Sequence, residues 1–146
     1  DIKKVKQIYT ILLTFTGTPC IYYGDEIGMD GGQDPGCRKC MPWDENEQDR
    51  DMFEHVQTLI ALRKEHPVLA NEGDLLFVHI DSEVVMYKRE SANADAYVLI
   101  NLGDNEKELS IEECVGASLL YANPETSFTD TLSISKRGFA ILKKEK

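Results

Sequence analysis

Apolar side chains recur at Val5, Ile8, Tyr9, Leu12 and Leu13, the spacing of one helical face. Gly17 and Pro19 end that run by permitting a left-handed turn and removing a backbone donor. The period then changes. Cys20 to Tyr23 is a continuous apolar run rather than an alternating one, which predicts a parallel strand covered on both faces. Gly24-Asp25-Glu26 breaks it off abruptly, so the strand delivers polar groups to a loop. A second helical face follows in Met52, Phe53, Val56, Leu59 and Ile60, and Asp44 and Glu47 are spaced like a capping box ahead of it. Helix, strand and helix make one segment of an α/β layer, and such a strand needs neighbours that the sequence does not contain.

After Pro67 the pattern shifts to short β-prone runs: 75–80, 84–88, 97–101, 119–121, 131–134 and 139–142. Turn-rich pieces such as Ser91-Ala-Asn-Ala-Asp95 and Gly103-Asp-Asn105 separate them, and the spacing predicts an antiparallel sandwich or barrel. The boundary is placed near Ala70 to Gly73. The β half is long enough for a small domain, whereas the first half is too short for a closed α/β core.

Composition narrows the partners. Hydrophobic residues make up 42% of the 146, enough for a core, and the formal net charge is -10. An acidic chain repels phosphate backbones, and no Lys/Arg cluster interleaved with aromatics appears, so nucleic acid is not expected as a partner. A membrane is not expected either, since no apolar run approaches the roughly 20 residues of a bilayer span. The first residue is Asp1 rather than Met, which suits a piece of a longer protein.

The cysteines stand at 20, 37, 40 and 114. The Cys37-Arg-Lys-Cys40 pair lies in a Gly/Pro-rich stretch rather than at a helix N-terminus, so a redox role is not favoured. Zinc needs four ligands, and His55, His66 and His79 supply no second pair at short spacing. No metal or cofactor is therefore expected. The remaining reading is reduced, partly buried thiols, which suits a cytoplasmic setting. Asp25, Glu26, Asp30, Asp34 and Asp44 crowd the loop after the predicted strand, and two suitably spaced carboxylates can do acid/base chemistry. In an acidic chain the plainer reading is solvated side chains and helix caps. Trp43 reads more simply as packing than as a sugar platform.

Three stretches together resemble a known family. Gly17-Thr-Pro-Cys-Ile-Tyr-Tyr-Gly-Asp-Glu-Ile-Gly-Met29 is similar to the segment around the eighth barrel strand of the α-amylase superfamily of glycoside hydrolases. Asp34-Pro-Gly-Cys-Arg-Lys-Cys-Met-Pro-Trp-Asp44 resembles the following loop in the neopullulanase, cyclomaltodextrinase and maltogenic amylase branch, and Leu59 to Leu69 resembles the end of that branch's last barrel helix. One departure is Cys40, where many relatives have Pro.

The resemblance implies a C-terminal fragment of a (β/α)8 barrel, residues 1–70, followed by an antiparallel all-β sandwich, residues 71–146. The helix over 44–66 would be the barrel's eighth, and the 24–43 loop would belong to the C-terminal face, where barrel enzymes place their sites. It further implies retaining hydrolysis of α-glucosidic bonds in maltodextrins, cyclodextrins or pullulan. The nucleophilic Asp, the acid/base Glu about 5 Å from it and a second stabilising Asp would lie upstream of Asp1. No catalytic residue is thus expected within the chain, and the isolated chain is expected to be inactive. Asp34 and Arg38 match the branch's Asp and Arg that contact a glucose unit of the α-glucan oligosaccharide substrate, although an Asp/Arg pair that pins the loop is an equal reading. The alternative is a non-catalytic module whose β half binds glucan or stabilises a dimer. Apolar faces left uncovered by a cut barrel predict self-association into a homo-oligomer, or packing of the first 66 residues on the sandwich.

Overall fold

The computed structural model describes residues 1–129 and 131–146. Helix α1 (Ile2–Thr14) starts where the Asp1 side chain accepts from the Lys3 amide. It turns Tyr9 and Leu13 inward, with Val5 and Leu12 half-buried, while Ile8 faces solvent. Helix α2 (Arg50–Glu65) begins five residues later than the Asp44/Glu47 spacing predicts. The Asp49 side chain caps it by accepting from the Met52 amide. Asp44 instead caps a separate 3-10 turn over Glu45–Glu47, accepting from the Asn46 amide. Two Asp caps stand five residues apart, and the one nearest the apolar face starts the helix.

The predicted strand at Cys20–Tyr23 does not form a ladder. Cys20, Ile21 and Tyr23 make no backbone–backbone hydrogen bond among the described residues. A strand exists only as half of a pair, and no extended partner lies beside this one.

The second half is an antiparallel β-sandwich. Strands β1 (Asp74–Ile80), β2 (Val84–Glu90), β3 (Ala94–Asn101), β5 (Ser118–Ala122) and β8 (Phe139–Glu145) form one sheet in the order β1-β2-β3-β8-β5. Strands β4 (Lys107–Leu109), β6 (Ser127–Phe128) and β7 (Leu132–Ile134) form the other, in the order β4-β7-β6. The six β-prone runs all become strands; β4 and β6 are too short and polar to carry a pattern.

The large sheet is covered on both faces, which follows from period-two alternation along its central strands. One face carries Tyr87, Ala96, Val98, Ile100, Phe139 and Ile141, and Tyr9, Leu13, Met52, Val56 and Leu59 of the helices pack on it. The opposite face carries Met86, Tyr97, Leu99, Ala140 and Leu142, against Leu132 and Ile134 of the small sheet and Cys114. Every residue of β3 is consequently buried. Full burial of side chains such as Leu13, Met52 and Leu59 contributes about 1.5–3 kcal/mol each, so the helix layer is held by the sheet rather than by propensity.

Hydrogen bonds set the docking angle of that layer. Gln7 Nε2 donates to the carbonyls of Asn101 (2.6 Å) and Gly138 (3.1 Å). The Thr14 hydroxyl donates back to Thr10 O, so the Tyr87 hydroxyl donates to Thr14 Oγ1 at 2.5 Å. His55 bridges three elements: its Nε2 lies 3.0 Å from Lys6 O and its Nδ1 2.9 Å from Tyr121 Oη. A carbonyl only accepts, so Nε2 carries the proton and Nδ1 accepts from Tyr121.

Arginines close the C-terminal end of α1, whose last carbonyls have no partner in the helix. Arg63 donates to Leu13, Phe15, Gly17 and Leu69 carbonyls. Arg89, 1% exposed, donates to Thr14, Leu69, Ala70 and Gly73 carbonyls over 2.7–3.1 Å. Gly73 is obligatory here because a Cβ on it would lie 2.2 Å from Val68 O. The linker between helices and sandwich is thus clamped at both of its ends.

Candidate functional site

The loop from Gly24 to Trp43 leaves the helix layer at a rigid base. Gly24 has φ 90°, a left-handed value that favours glycine, and Gly28 repeats it at φ 68°. Between them a 3-10 turn, Asp25–Ile27, buries Ile27 to 3% exposure, and the Asp49 amide donates to Ile27 O at 2.9 Å. Burial and the adjacent Asp25 carboxylate hold the Tyr9 hydroxyl protonated far above its ordinary range, so it donates to Asp25 Oδ2 at 2.7 Å. Glu26 accepts from the Gly24 amide at 2.8 Å. Both acids after the apolar run therefore brace the loop's start.

Farther out, Asp34 and Arg38 face each other through two parallel contacts. Arg38 Nη2 donates to Asp34 Oδ2 and Arg38 Nε meets Asp34 Oδ1, each at 2.9 Å. Their side chains remain 62% and 66% exposed. This fork is the strongest geometry available to such a pair, and in water it contributes about 0–1 kcal/mol. It aligns two charged edges on one surface without removing either from solvent. That arrangement suits gripping neighbouring hydroxyl groups, and it equally pins the loop.

Aromatic groups surround the loop. Tyr22 and Tyr23 pack with centroids 4.7 Å apart, and the Tyr23 hydroxyl donates to Lys39 O at 2.9 Å, tying the loop's return to its start. Trp43 is 82% exposed and so does not serve as packing within the chain. The stacked tyrosines are not legible in the chain because neighbouring side chains of a paired strand point to opposite faces; an unpaired backbone lets them stack. The only advance signal is two adjacent Tyr residues directly before a glycine. An open groove of about 560 Å³ runs from Ile21, Tyr23 and Glu26 along the Phe53, Ile60 and Lys64 face of α2.

The remaining loop acids do not converge. Asp44 caps its turn, and the fully exposed Asp30 lies 3.9 Å from Lys39. Among the described residues no group of three or more His, Cys, Asp and Glu is arranged to hold a metal. All four cysteines are free thiols. Cys114 is buried in the sandwich, which pushes its thiol up to about 12. No helix among the described residues is long and apolar enough to cross a membrane.

Residues 1–72 match the family described as Alpha amylase, catalytic domain. A maltogenic alpha-amylase of Bacillus acidopullulyticus is 50% identical over 111 residues, which are 74% of this chain and 19% of that protein. A cyclomaltodextrinase of Geobacillus thermopakistaniensis is 48% identical over 111 residues, 75% of this chain and 19% of the relative. Among solved structures, a debranching enzyme from Nostoc punctiforme superposes with a TM-score of 0.83 at 29% identity, covering 97% of this chain and 31% of that one. The chain therefore spans about one fifth of the length of these two sequence relatives.

Proposed function

Because residues 1–72 belong to the alpha-amylase catalytic-domain family, we propose that this chain is the C-terminal part of a retaining α-glucosidic-bond hydrolase acting on maltodextrins, cyclodextrins or pullulan. The observation that carries the proposal is the unpaired Cys20–Tyr23 segment. It is apolar, stands between two helices, opens onto the groove beside α2 and lacks any ladder of its own. An edge of that kind is what remains of an α/β layer when its adjoining strands belong to chain upstream. In this reading residues 1–70 end the barrel, residues 71–146 form the sandwich domain, and the reactive carboxylates lie before Asp1. The names of the two relatives, maltogenic alpha-amylase and cyclomaltodextrinase, support the substrate class.

Within the site, Asp34 and Arg38 hold a glucose unit of the substrate. Their charged edges are solvent-facing and preoriented by one another, so little rotamer entropy is lost when sugar hydroxyls replace water. A cytoplasmic location agrees with the free thiols, and the exposed groove agrees with self-association when the upstream chain is missing.

The module reading receives less support. A glucan-binding surface presents exposed rings, but Tyr87, Tyr97 and Phe139 are 1–3% exposed; among the described residues of the β half only the Phe77 ring stands out, at 56%.

Two measurements test the proposal. The purified chain should hydrolyse neither cyclodextrin nor pullulan above a buffer blank; clear turnover would place the chemistry within these residues. In the enzyme that includes the upstream sequence, Arg38→Ala should raise KM for maltooligosaccharides about tenfold, the loss expected of one charge-assisted hydrogen bond. An unchanged KM would reduce the pair to a loop fastener.

A further inference from the structure

A cluster of cations runs against the chain's net charge of -10. Lys3 and Lys6 of α1, with Lys136 and Arg137 of the turn before β8, line one cavity of about 220 Å³ at the seam between helix layer and sandwich. Ile2 and Phe139 supply apolar lining, and Asp51 and Glu125 are the carboxylates in its wall.

The charges do not cancel. Lys6 is bound to Asp51 at 2.5 Å, and Arg137 Nε meets Asp104 Oδ1 at 2.9 Å. The ammonium groups of Lys3 and Lys136 make no ion pair or hydrogen bond among the described residues. Glu125 is drawn instead to Asn123, whose Nδ2 donates to it at 3.0 Å. The cavity thus carries four cations against the lining carboxylates Asp51 and Glu125 and the Asp104 carboxylate that holds Arg137, which leaves an excess of one positive charge.

Backbone shape holds the cluster in place. Gly138 N donates to Ser135 O at 2.9 Å, closing a turn in which Arg137 takes φ 53°. That position ordinarily takes Gly or Asn, and a side chain there costs about 1 kcal/mol. Arg137 N also donates to Gly103 O and the Asn101 amide donates to Gly138 O, so the strained turn is tied to the end of β3 and the loop that follows it.

We propose that this cavity is a binding site for a small phosphate-bearing anion, either inorganic phosphate or a short phosphate monoester, held between Lys3 and the Lys136–Arg137 turn. Size selects a small anion: the volume is under the roughly 300 Å³ at which sites for drug-sized ligands begin. No residue of the 24–43 loop lines this cavity, so the site is distinct from the loop carrying Asp34 and Arg38. Glu125 competes with the ligand for Lys3 and Lys136. Because α1 and the sandwich both contribute cations, bound anion also fastens one layer to the other.

Calorimetric titration of the 146-residue chain at low, matched ionic strength tests this, with inorganic phosphate, glycerol phosphate, chloride and uncharged glycerol as probes. Phosphate should bind saturably with one-to-one stoichiometry, and chloride and glycerol should not. Comparable binding of glycerol phosphate identifies the ligand as a carried phosphoryl group, and its exclusion identifies free phosphate; both agree with the site. Lys3→Gln and Lys136→Gln are exposed changes that should leave the amide spectrum otherwise native while weakening phosphate about tenfold each. Glu125→Gln should tighten it a few-fold. Heats that never saturate, equal heats with chloride, or an affinity untouched by both lysine changes would overturn the proposal.

Discussion

Replacing Arg89 by methionine should lower the unfolding free energy by about 3–5 kcal/mol, the largest single loss expected from one side chain here. Methionine fills most of the volume, so the loss isolates the guanidinium. Four carbonyls, those of Thr14, Leu69, Ala70 and Gly73, share its five donated hydrogen bonds. Each buried carbonyl left without a donor costs about 1–3 kcal/mol. Arg63 still reaches Leu69 O, which spares one acceptor and keeps the total below the sum. Desolvation already pulls the Arg89 guanidinium below its usual range, and among the described residues no carboxylate is bonded to it, so its charge rests chiefly on carbonyl dipoles, with Asp74 the carboxylate nearby. Urea unfolding would read the change as a midpoint lower by about 1–3 M at the slopes usual for small domains. Arg89→Lys should recover little of it, since an ammonium presents three donors from one point and cannot span α1, the linker and Gly73 together. A loss under about 1 kcal/mol for Arg89→Met would mean that water takes over those carbonyls.

The second large effect is a dependence on pH centred on His55. Its ring is 1% exposed, and burial lowers its pKa from the ordinary value to about 4. Around it stand the Lys6 carbonyl and the Thr10 and Tyr121 hydroxyls; Lys6 and Asp51 are the charged groups nearby. The sign follows from which state binds the proton. Above about pH 6.5 the ring is neutral in both folded and unfolded chain, and it adds no pH dependence. As pH falls toward about 4, only the unfolded chain takes up the proton, so folding loses about 3 kcal/mol across that window. Protonation would also force Nδ1 to become a donor toward Tyr121, whose own hydroxyl burial holds protonated by raising it to about 12. Stability measured against pH should therefore slope upward between 4 and 6.5 in the parent chain. The slope should flatten in His55→Gln, which keeps a donor and an acceptor. An unaltered slope in that variant would assign the acid sensitivity to carboxylates instead.

Much of this fold can be read from local pattern, and the exceptions share a cause. The 3.6-residue spacing of Tyr9 and Leu13, or of Met52, Val56 and Leu59, depends on neighbours a turn away, so both helices are visible in the chain. Alternation in β2, β3 and β8 is equally local. The Cys20–Tyr23 segment has strand composition, but a ladder needs a partner, and composition does not supply one. Helix α2 was displaced because Asp44 and Asp49 are both competent caps, and tertiary packing of Met52 decides between them. Asp34 and Arg38 lie four apart and are legible as a pair. The seam of Gln7, His55, Thr14 and Arg89 is not, because each partner lies tens of residues away and is a backbone group or hydroxyl without a pattern. Lys3 and Lys136 come from opposite ends of the chain for the same reason.

Double coverage of the large sheet decides how the chain can be divided. Severing it at Ala70 would strip Tyr87, Val98, Ile100, Phe139 and Ile141 of the helices that shield them and leave a broad oily plate in water. The sandwich borrows its solubility from the residues before it, so an excised β half should be recovered as aggregate, and any usable truncation must carry α1 and α2 along.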